Sequence, residues 1–390
     1  MTVTPRRIAW PAALLAVGIA ISLPATAQDK STKGVAAALQ PYVDSHSLAG
    51  AITLVANKDK VLSLEAVGYA DVAAKTPLKT DSIVWIASQS KPITAAALMI
   101  LVDDGKVKLD DPAETYLPEL KALQVKEKVG NKEELRKPAR PVTVRDLLRH
   151  TSGMPFRSPV EQPTLDKQTL KARVESYATT PLDADPGTRY NYSNAGINTA
   201  GRIIEVVSGM PYEDFLDKRL FGPLGMTDTT FWPTGDQLKR VAKAYKPDAA
   251  KKDLVEIKID QLRYPLDDRT RQPMPAGGLF STATDVAKFC QMLLNGGTLD
   301  GKHVLSEAAV KEMTTRQTPK DMKESYGLGL SVGGNDFGHG GALSTNMSVD
   351  TKRGLVYVWL VQHAGYPGNG GQAQGEFRKT AQAMYGTPAK

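Results

Sequence analysis

Ala51-Ile52-Thr53-Leu54-Val55 and Val61-Leu62-Ser63-Leu64-Glu65-Ala66-Val67 are two apolar-rich runs flanking the short polar turn Asn57–Lys60. That pattern predicts a β-hairpin near the start of the chain. Outward on the N-terminal side, Val35, Ala36, Leu39 and Tyr42 recur at helical spacing over 33–45. On the C-terminal side a helix opens at Ser88, carries Ile93, Ala96, Ala97, Ile100 and Leu101 on one face, and stops at Gly105. The far end of the chain repeats the character of the first: Tyr326–Val332, Ser344–Val349 and Leu355–Val361 read as strands, and a last helix runs over about 372–384. Strands at both ends predict one α/β unit, a mainly antiparallel sheet flanked by helices, with a helical stretch inserted between its halves.

The inserted region, 106–275, has few strand signals, many prolines and several capped helices. Thr143-Val144-Arg145-Asp146 is a capping box, and a longer helix is expected from Ala195 to Ser208, stopped by Gly209. After Gly277-Gly278, Thr282 and Asp285 read as a second capping box, opening a helix with Val286, Phe289, Cys290 and Leu293 on one face. The expected division is therefore 28–105 with 276–390 as the sheet unit and 106–275 as the helical insertion.

The 390 residues are 41% hydrophobic and 23% charged, which excludes a disordered chain. One cysteine, Cys290, excludes an intramolecular disulfide framework and a Cys-based zinc site. The five histidines are scattered without ligand spacing, so no metal and no cofactor is expected. Arg6-Arg7, the apolar run to Leu23 and Ala25-Thr26-Ala27 predict a cleavable leader over 1–27, hence a periplasmic or secreted protein; Sec and Tat export both stay open. The leader holds two of the 49 basic residues and no acid, leaving 47 against 42 and a net charge of +5. No other apolar run is long enough to span a bilayer. The charged segments 121–140 and 236–271 interleave acids with bases and lack aromatic partners, so nucleic acid is not an expected partner. A monomer is expected.

Three short motifs carry chemistry. Ser88-Gln89-Ser90-Lys91 puts a hydroxyl and an amine one helical turn apart, on one face, at a helix N-terminus. The amine can supply the base that a serine nucleophile needs, or a positive charge that tunes one. Tyr192-Ser193-Asn194 supplies a phenol and an amide just before a helix. His339-Gly340-Gly341 lets backbone approach a ligand closely before a strand beginning near Ala342. Each motif alone also fits a structural role. Gly329-Leu330-Ser331-Val332-Gly333 matches the nucleophile elbow of α/β-hydrolases, but Ser331 is expected in a strand, followed by a Gly-rich turn and another strand where that motif needs a helix. Gly368-Asn369-Gly370-Gly371-Gln372-Ala373 lies too near the end of the chain for a dinucleotide unit.

In this order the three motifs resemble the signature of the serine β-lactamase and penicillin-binding-protein superfamily: Ser-x-x-Lys, Tyr-x-Asn, then Lys/His-x-Gly. Leu147-Leu148-Arg149-His150-Thr151-Ser152-Gly153-Met154-Pro155, Pro223-Leu224-Gly225-Met226 and Gly277-Gly278-Leu279-Phe280-Ser281-Thr282 are similar to further landmarks of that superfamily. The resemblance covers roughly 33–385. It points to the branch of class C β-lactamases, family VIII carboxylesterases, D-aminopeptidases and one group of D-Ala-D-Ala peptidases.

The resemblance implies an exported serine hydrolase acting through an acyl-enzyme on a small ester, amide or β-lactam. Ser88 would be acylated, Lys91 and Tyr192 would move its proton, and Asn194, His339, Gly340 and Gly341 would contact substrate. The backbone N–H groups of Ser88 and Ala342 would form the oxyanion hole. Which of Lys91 and Tyr192 is the base stays open. Where class C enzymes usually carry Lys at the third motif, this chain has His339, mostly neutral at pH 7. That departure ranks esterase first, then D-Ala-D-Ala carboxypeptidase or D-amino-acid amidase, then β-lactamase. A non-catalytic binding protein of the same fold is the alternative of another class.

Overall fold

The computed structural model describes residues 1–2 and 34–386; all of the expected leader except Met1 and Thr2 lies outside them. The hairpin forms as β1 (Gly50–Asn57) and β2 (Val61–Asp71), extended by β3 (Thr76–Pro77). From the other end come β4 (Ser331–Gly333), β5 (Asp336–Gly340), β6 (Asn346–Asp350) and β7 (Leu355–Leu360). They make one sheet in the order β4-β5-β6-β7-β1-β2-β3. Every pairing is antiparallel. The seam between the two ends is β1 against β7, with Ile52 opposite Leu360 and Val55 opposite Tyr357.

Both faces of that seam are buried, which is why β1 and β7 are almost continuously apolar. Successive side chains point to opposite faces. Ile52 and Leu54 with Val356, Val358 and Leu360 pack into the main core, together with α1 (Ser90–Asp103) and α3 (Ala283–Leu294). The alternate set, Ala51, Val55, Tyr357 and Trp359, packs under α4 (Ala373–Tyr385), where Trp359 stacks on Phe377 with centroids 5.8 Å apart. Residues Ser90–Leu101 of α1 are all buried. That helix packs along α2 (Asn194–Ser208), while α3 lies against β1, β6 and β7 of the sheet.

Several expectations are refined. The segment 106–275 carries α2 and the helix Leu170–Thr179, and also two hairpins, Val125–Val129 with Lys132–Arg136 and Ala244–Pro247 with Leu254–Ile257. The first is exposed along nearly its whole length, so no apolar alternation marks it. Thr143 forms the expected capping box with Asp146. Thr282 caps α3, but Asp285 does not close the box: its carboxylate accepts from Asp228 N–H and Thr229 instead. Only the end of 326–332 is strand; before it Gly329, at φ +76, donates to Leu148 O. Ser331 lies on the exposed edge strand β4 opposite Gly338, with another strand after it, so it is not on a nucleophile elbow. His339 and Gly340 end β5 instead of preceding a strand, and Ala342 sits in the turn before β6. Glycines at 338, 340 and 341 hide that strand from a reading based on alternation.

Candidate active site

The short strand Val84–Trp85 pairs with Phe280–Ser281 and ends where the chain turns into α1. Ala87 takes the turn at φ +48, a left-handed conformation unfavourable for a residue with a side chain. Ser88 follows in a single 3₁₀ turn, Ala87–Gln89, and is half-buried; α1 itself starts at Ser90, two residues beyond the expected opening at Ser88. Lys91 lies on the first turn of α1 with its side chain fully buried.

Lys91 Nζ is 3.1 Å from Ser88 Oγ, 2.8 Å from Asn194 Oδ1 and 2.7 Å from the Ala276 carbonyl. Burial holds this amine well below the ordinary lysine range. Two of its three partners are carbonyl oxygens, which can only accept. When the amine is neutral, its lone pair is therefore left facing Ser88 Oγ.

Asn194 is free to do this because Ser193 caps α2, its hydroxyl accepting from Gly196 N–H at 3.0 Å. Tyr192 places its ring centroid 4.6 Å from Lys91 Nζ. Burial pushes the phenol up to about 12, the neighbouring Ser88 hydroxyl opposing the shift. Behind it, His150 Nδ1 accepts from Ser193 N–H at 3.2 Å, and its ring lies 4.5 Å from that of Tyr192.

His339 closes the opposite wall. Its Nδ1 is 2.6 Å from Gly340 O, so Nδ1 carries the proton, and Nε2 accepts from the Tyr326 hydroxyl at 3.0 Å. Burial, with the charge of Lys91 nearby, lowers His339 to about 3. It is a neutral group at pH 7. Gly341 is required by close packing: a Cβ there would lie 2.5 Å from Ile86 O. Beyond it, Ala342 reaches the same cavity as Ser88. Neither Ser88 N–H nor Ala342 N–H donates to a described residue. The cavity, about 390 Å³, has Trp85, Leu165 and Met274 in its wall and the exposed Phe156, Arg157 and Asp260 at its rim.

Ser88, Lys91, Tyr192, Asn194, His339 and Ala342 are thus brought to one place by three separate segments. Tyr326, His150 and Ala276 belong to it as well and escaped the sequence reading. His150 alone had a signal, its place in the Leu147–Pro155 segment. Among the described residues no three His, Cys, Asp or Glu side chains converge as a metal site. No helix among them is long and apolar enough to cross a membrane.

This is the fold and the motif geometry of the β-lactamase-like hydrolases. The family model described as Beta-lactamase matches residues 35–378, and the chain belongs to that family. Protein Rv1367c of Mycobacterium tuberculosis H37Rv is 32% identical over 369 residues, 85% of this chain and 90% of the relative. A lovastatin esterase of Penicillium rubens is 29% identical over 330 residues, covering 74% and 81% of the two chains. Among solved structures, EstCE1, a hydrolase with promiscuous acyltransferase activity, shares the fold with a TM-score of 0.74 at 23% identity, over 89% of this chain and 97% of that one.

Proposed function

We propose that this protein is an exported esterase that cleaves small, uncharged esters through an acyl-enzyme on Ser88. The observation that carries it is the Lys91 amine, deprived of solvent and held 3.1 Å from Ser88 Oγ by two carbonyls that leave its lone pair nowhere else to point. Lys91 is the base of this scheme. Tyr192, at about 12, would hold only about one part in 10⁵ of phenolate at pH 7, a cost of roughly 7 kcal/mol.

In the first step Lys91 takes the Ser88 proton as Oγ bonds to the ester carbonyl carbon. The carbonyl oxygen becomes anionic between the unengaged N–H groups of Ser88 and Ala342. The tetrahedral centre collapses, the C–O bond to the alcohol breaks, and the proton on Lys91 leaves with the alcohol. A water molecule then adds to the acyl carbon and gives a proton to Lys91; the second tetrahedral centre collapses, the C–Oγ bond breaks, and Lys91 returns that proton to Ser88 Oγ as the acid leaves.

Neutral His339 offers no cation to a substrate carboxylate, which favours esters over D-Ala-D-Ala peptides and β-lactams. The lovastatin esterase relative supports the same choice. The test is a panel of p-nitrophenyl acetate and butyrate, nitrocefin and a D-Ala-D-Ala peptide on wild type and Ser88→Ala. The expected result is ester turnover with a p-nitrophenol burst, lost in Ser88→Ala. Cleavage of the peptide alone would move the assignment to a carboxypeptidase. No Ser88-dependent acylation by any of them would make it a binding protein. N-terminal sequencing of secreted or periplasmic material, beginning at Gln28, tests the export.

A further inference from the structure

Behind Lys91 the polar contacts continue into a part of the protein that does not line the cavity. The Pro275–Ala276 peptide unit is clamped at both ends: Thr94 Oγ1 donates to Pro275 O at 2.7 Å, and Ala276 N–H donates to Asn198 Oδ1 at 3.1 Å. Asn198, on α2, turns its Nδ2 to Glu161 Oε1 at 3.2 Å and to the Tyr177 hydroxyl at 3.1 Å. Tyr177 donates to the same Glu161 oxygen at 2.7 Å, while Glu161 Oε2 accepts from Ser158 N–H at 2.8 Å. Asn198, Glu161 and Tyr177 are 1% exposed or less.

We propose that Asn198 and Glu161 are positioning residues that aim the Lys91 amine at Ser88, by fixing the amide face of Asn198 and through it the Ala276 carbonyl. Asn198 can turn either its oxygen or its nitrogen toward Ala276. Glu161, acceptor-only when ionised, holds the Nδ2 side and so commits Oδ1 to the Ala276 N–H. The Ala276 carbonyl is then held where it takes one Lys91 N–H, and the lone pair of the amine is left for Ser88. Burial of a carboxylate is costly. Here burial raises the Glu161 carboxyl, and the Ser158, Tyr177 and Asn198 donors and the charge of Arg173, which is buried nearby, offset it only in part.

The groups facing Lys91 are Ser88, Asn194, Ala276 O and the Tyr192 ring, with neutral His150 and His339 farther out. Burial alone shifts Lys91, with no carboxylate partner among the described residues. A freed Ala276 carbonyl removes an acceptor that favours the ammonium form, so the Lys91 pKa falls while the aim of the amine is lost.

The inference rests on Lys91 acting as the base, and the experiment separates the two claims. Burst rates with p-nitrophenyl acetate are measured from pH 5 to 9 for wild type, Asn198→Ala and Asn198→Asp. Asn198→Ala should lower the plateau acylation rate about tenfold with KM within about twofold, a sub-ångström misplacement costing somewhat less than the ~100-fold of a full ångström. Its acid limb should move to lower pH. Asn198→Asp, sharing one proton with Glu161 across the 3.2 Å contact, keeps an oxygen toward the Ala276 N–H and should bring the plateau back to within about threefold of wild type.

A folded Asn198→Ala with the wild-type plateau and limb overturns the proposal. So does a lowered plateau with an unmoved limb that Asn198→Asp does not rescue, the signature of general loosening. Should Asn198→Ala fail to fold, Glu161→Gln carries the test, with the same direction and about threefold expected; wild-type behaviour there overturns it. A wild type without a Ser88-dependent burst refutes the acyl-enzyme reading and this inference together. A normal wild-type burst with unmoved variants refutes this inference alone.

Discussion

Replacing Lys91 by methionine keeps an unbranched, buried side chain and removes only the amine that touches Ser88 Oγ, Asn194 Oδ1 and Ala276 O. The kinetic effect follows from the loss of a positioned base, worth about 10²–10⁴ in rate, or roughly 2.7–5.5 kcal/mol of barrier. The stability effect has two opposing parts. Two buried carbonyl oxygens lose a donor, at about 1–3 kcal/mol each. Against that, the variant no longer buries an amine whose pKa is already well depressed by desolvation. The net is expected to be about 2 kcal/mol or less, so Lys91→Met should unfold within several degrees of wild type. The assay is the p-nitrophenol burst from pH 5 to 9, with a thermal melt of the same samples. In wild type the rate should rise with pH as Lys91 loses its proton. In Lys91→Met the residual rate should be at least a hundredfold lower and should lack that limb. A folded Lys91→Met acylating within threefold of wild type, or retaining the same acid limb, would refute Lys91 as the base.

Tyr192→Phe removes a hydroxyl held neutral at about 12 but keeps the ring beside Lys91; acylation should fall about 10- to 100-fold and keep its acid limb, and loss of that limb in the burst assay would transfer the base to Tyr192. Gly341→Ala would put a Cβ 2.5 Å from Ile86 O; the turn carrying Ala342 must shift, so ester turnover should drop at least tenfold while the melt falls by a few degrees, about 1–3 kcal/mol of overpacking. The third expectation concerns pH. His339 and His363 are lowered by burial to about 3 and about 4, and His150 is lowered as well. The unfolded chain takes up protons below about pH 6.5 that the folded protein refuses, so stability is complete above that value and declines as pH falls toward the folded values. At pH 5 the loss is about 2 kcal/mol each for His339 and His363, and His150 adds to it in the same direction. Glu161 and Asp285, raised by burial, oppose the decline in the carboxylate range. Urea midpoints between pH 7.5 and 5 measure it, and a flat profile would show that these rings take up protons in the folded state.

What the sequence revealed depended on the range of the interaction. The Ser88–Lys91 pair is one helical turn, and the three motifs kept their order, so six of the residues that meet in the site were legible through the family resemblance those motifs carry. β1 and β7 were legible because burial on both faces makes them apolar throughout. β5 was obscured by its glycines, and the hairpin 125–136 by its exposure, which removes any apolar alternation. Ala276, Asn198 and Glu161 left no trace. Ala276 acts through its backbone, 185 residues from Lys91, and Asn198 acts through the face it turns to a partner 78 residues away. Neither contact has a local pattern. His339 was read from its type as mostly neutral at pH 7; its burial, which lowers it to about 3, makes it fully so, and its Tyr326 and Gly340 partners were not legible.

The most direct measurement is a mass. Wild type, Ser88→Ala and Ser331→Ala are mixed with p-nitrophenyl acetate, quenched in acid within the burst, and digested for peptide mapping. One acetyl group should be found on the peptide containing Ser88, in wild type and Ser331→Ala alike, and be absent from Ser88→Ala. Acetylation that persists in Ser88→Ala, or ester turnover with no covalent intermediate on Ser88 at any quench time, would contradict the acyl-enzyme.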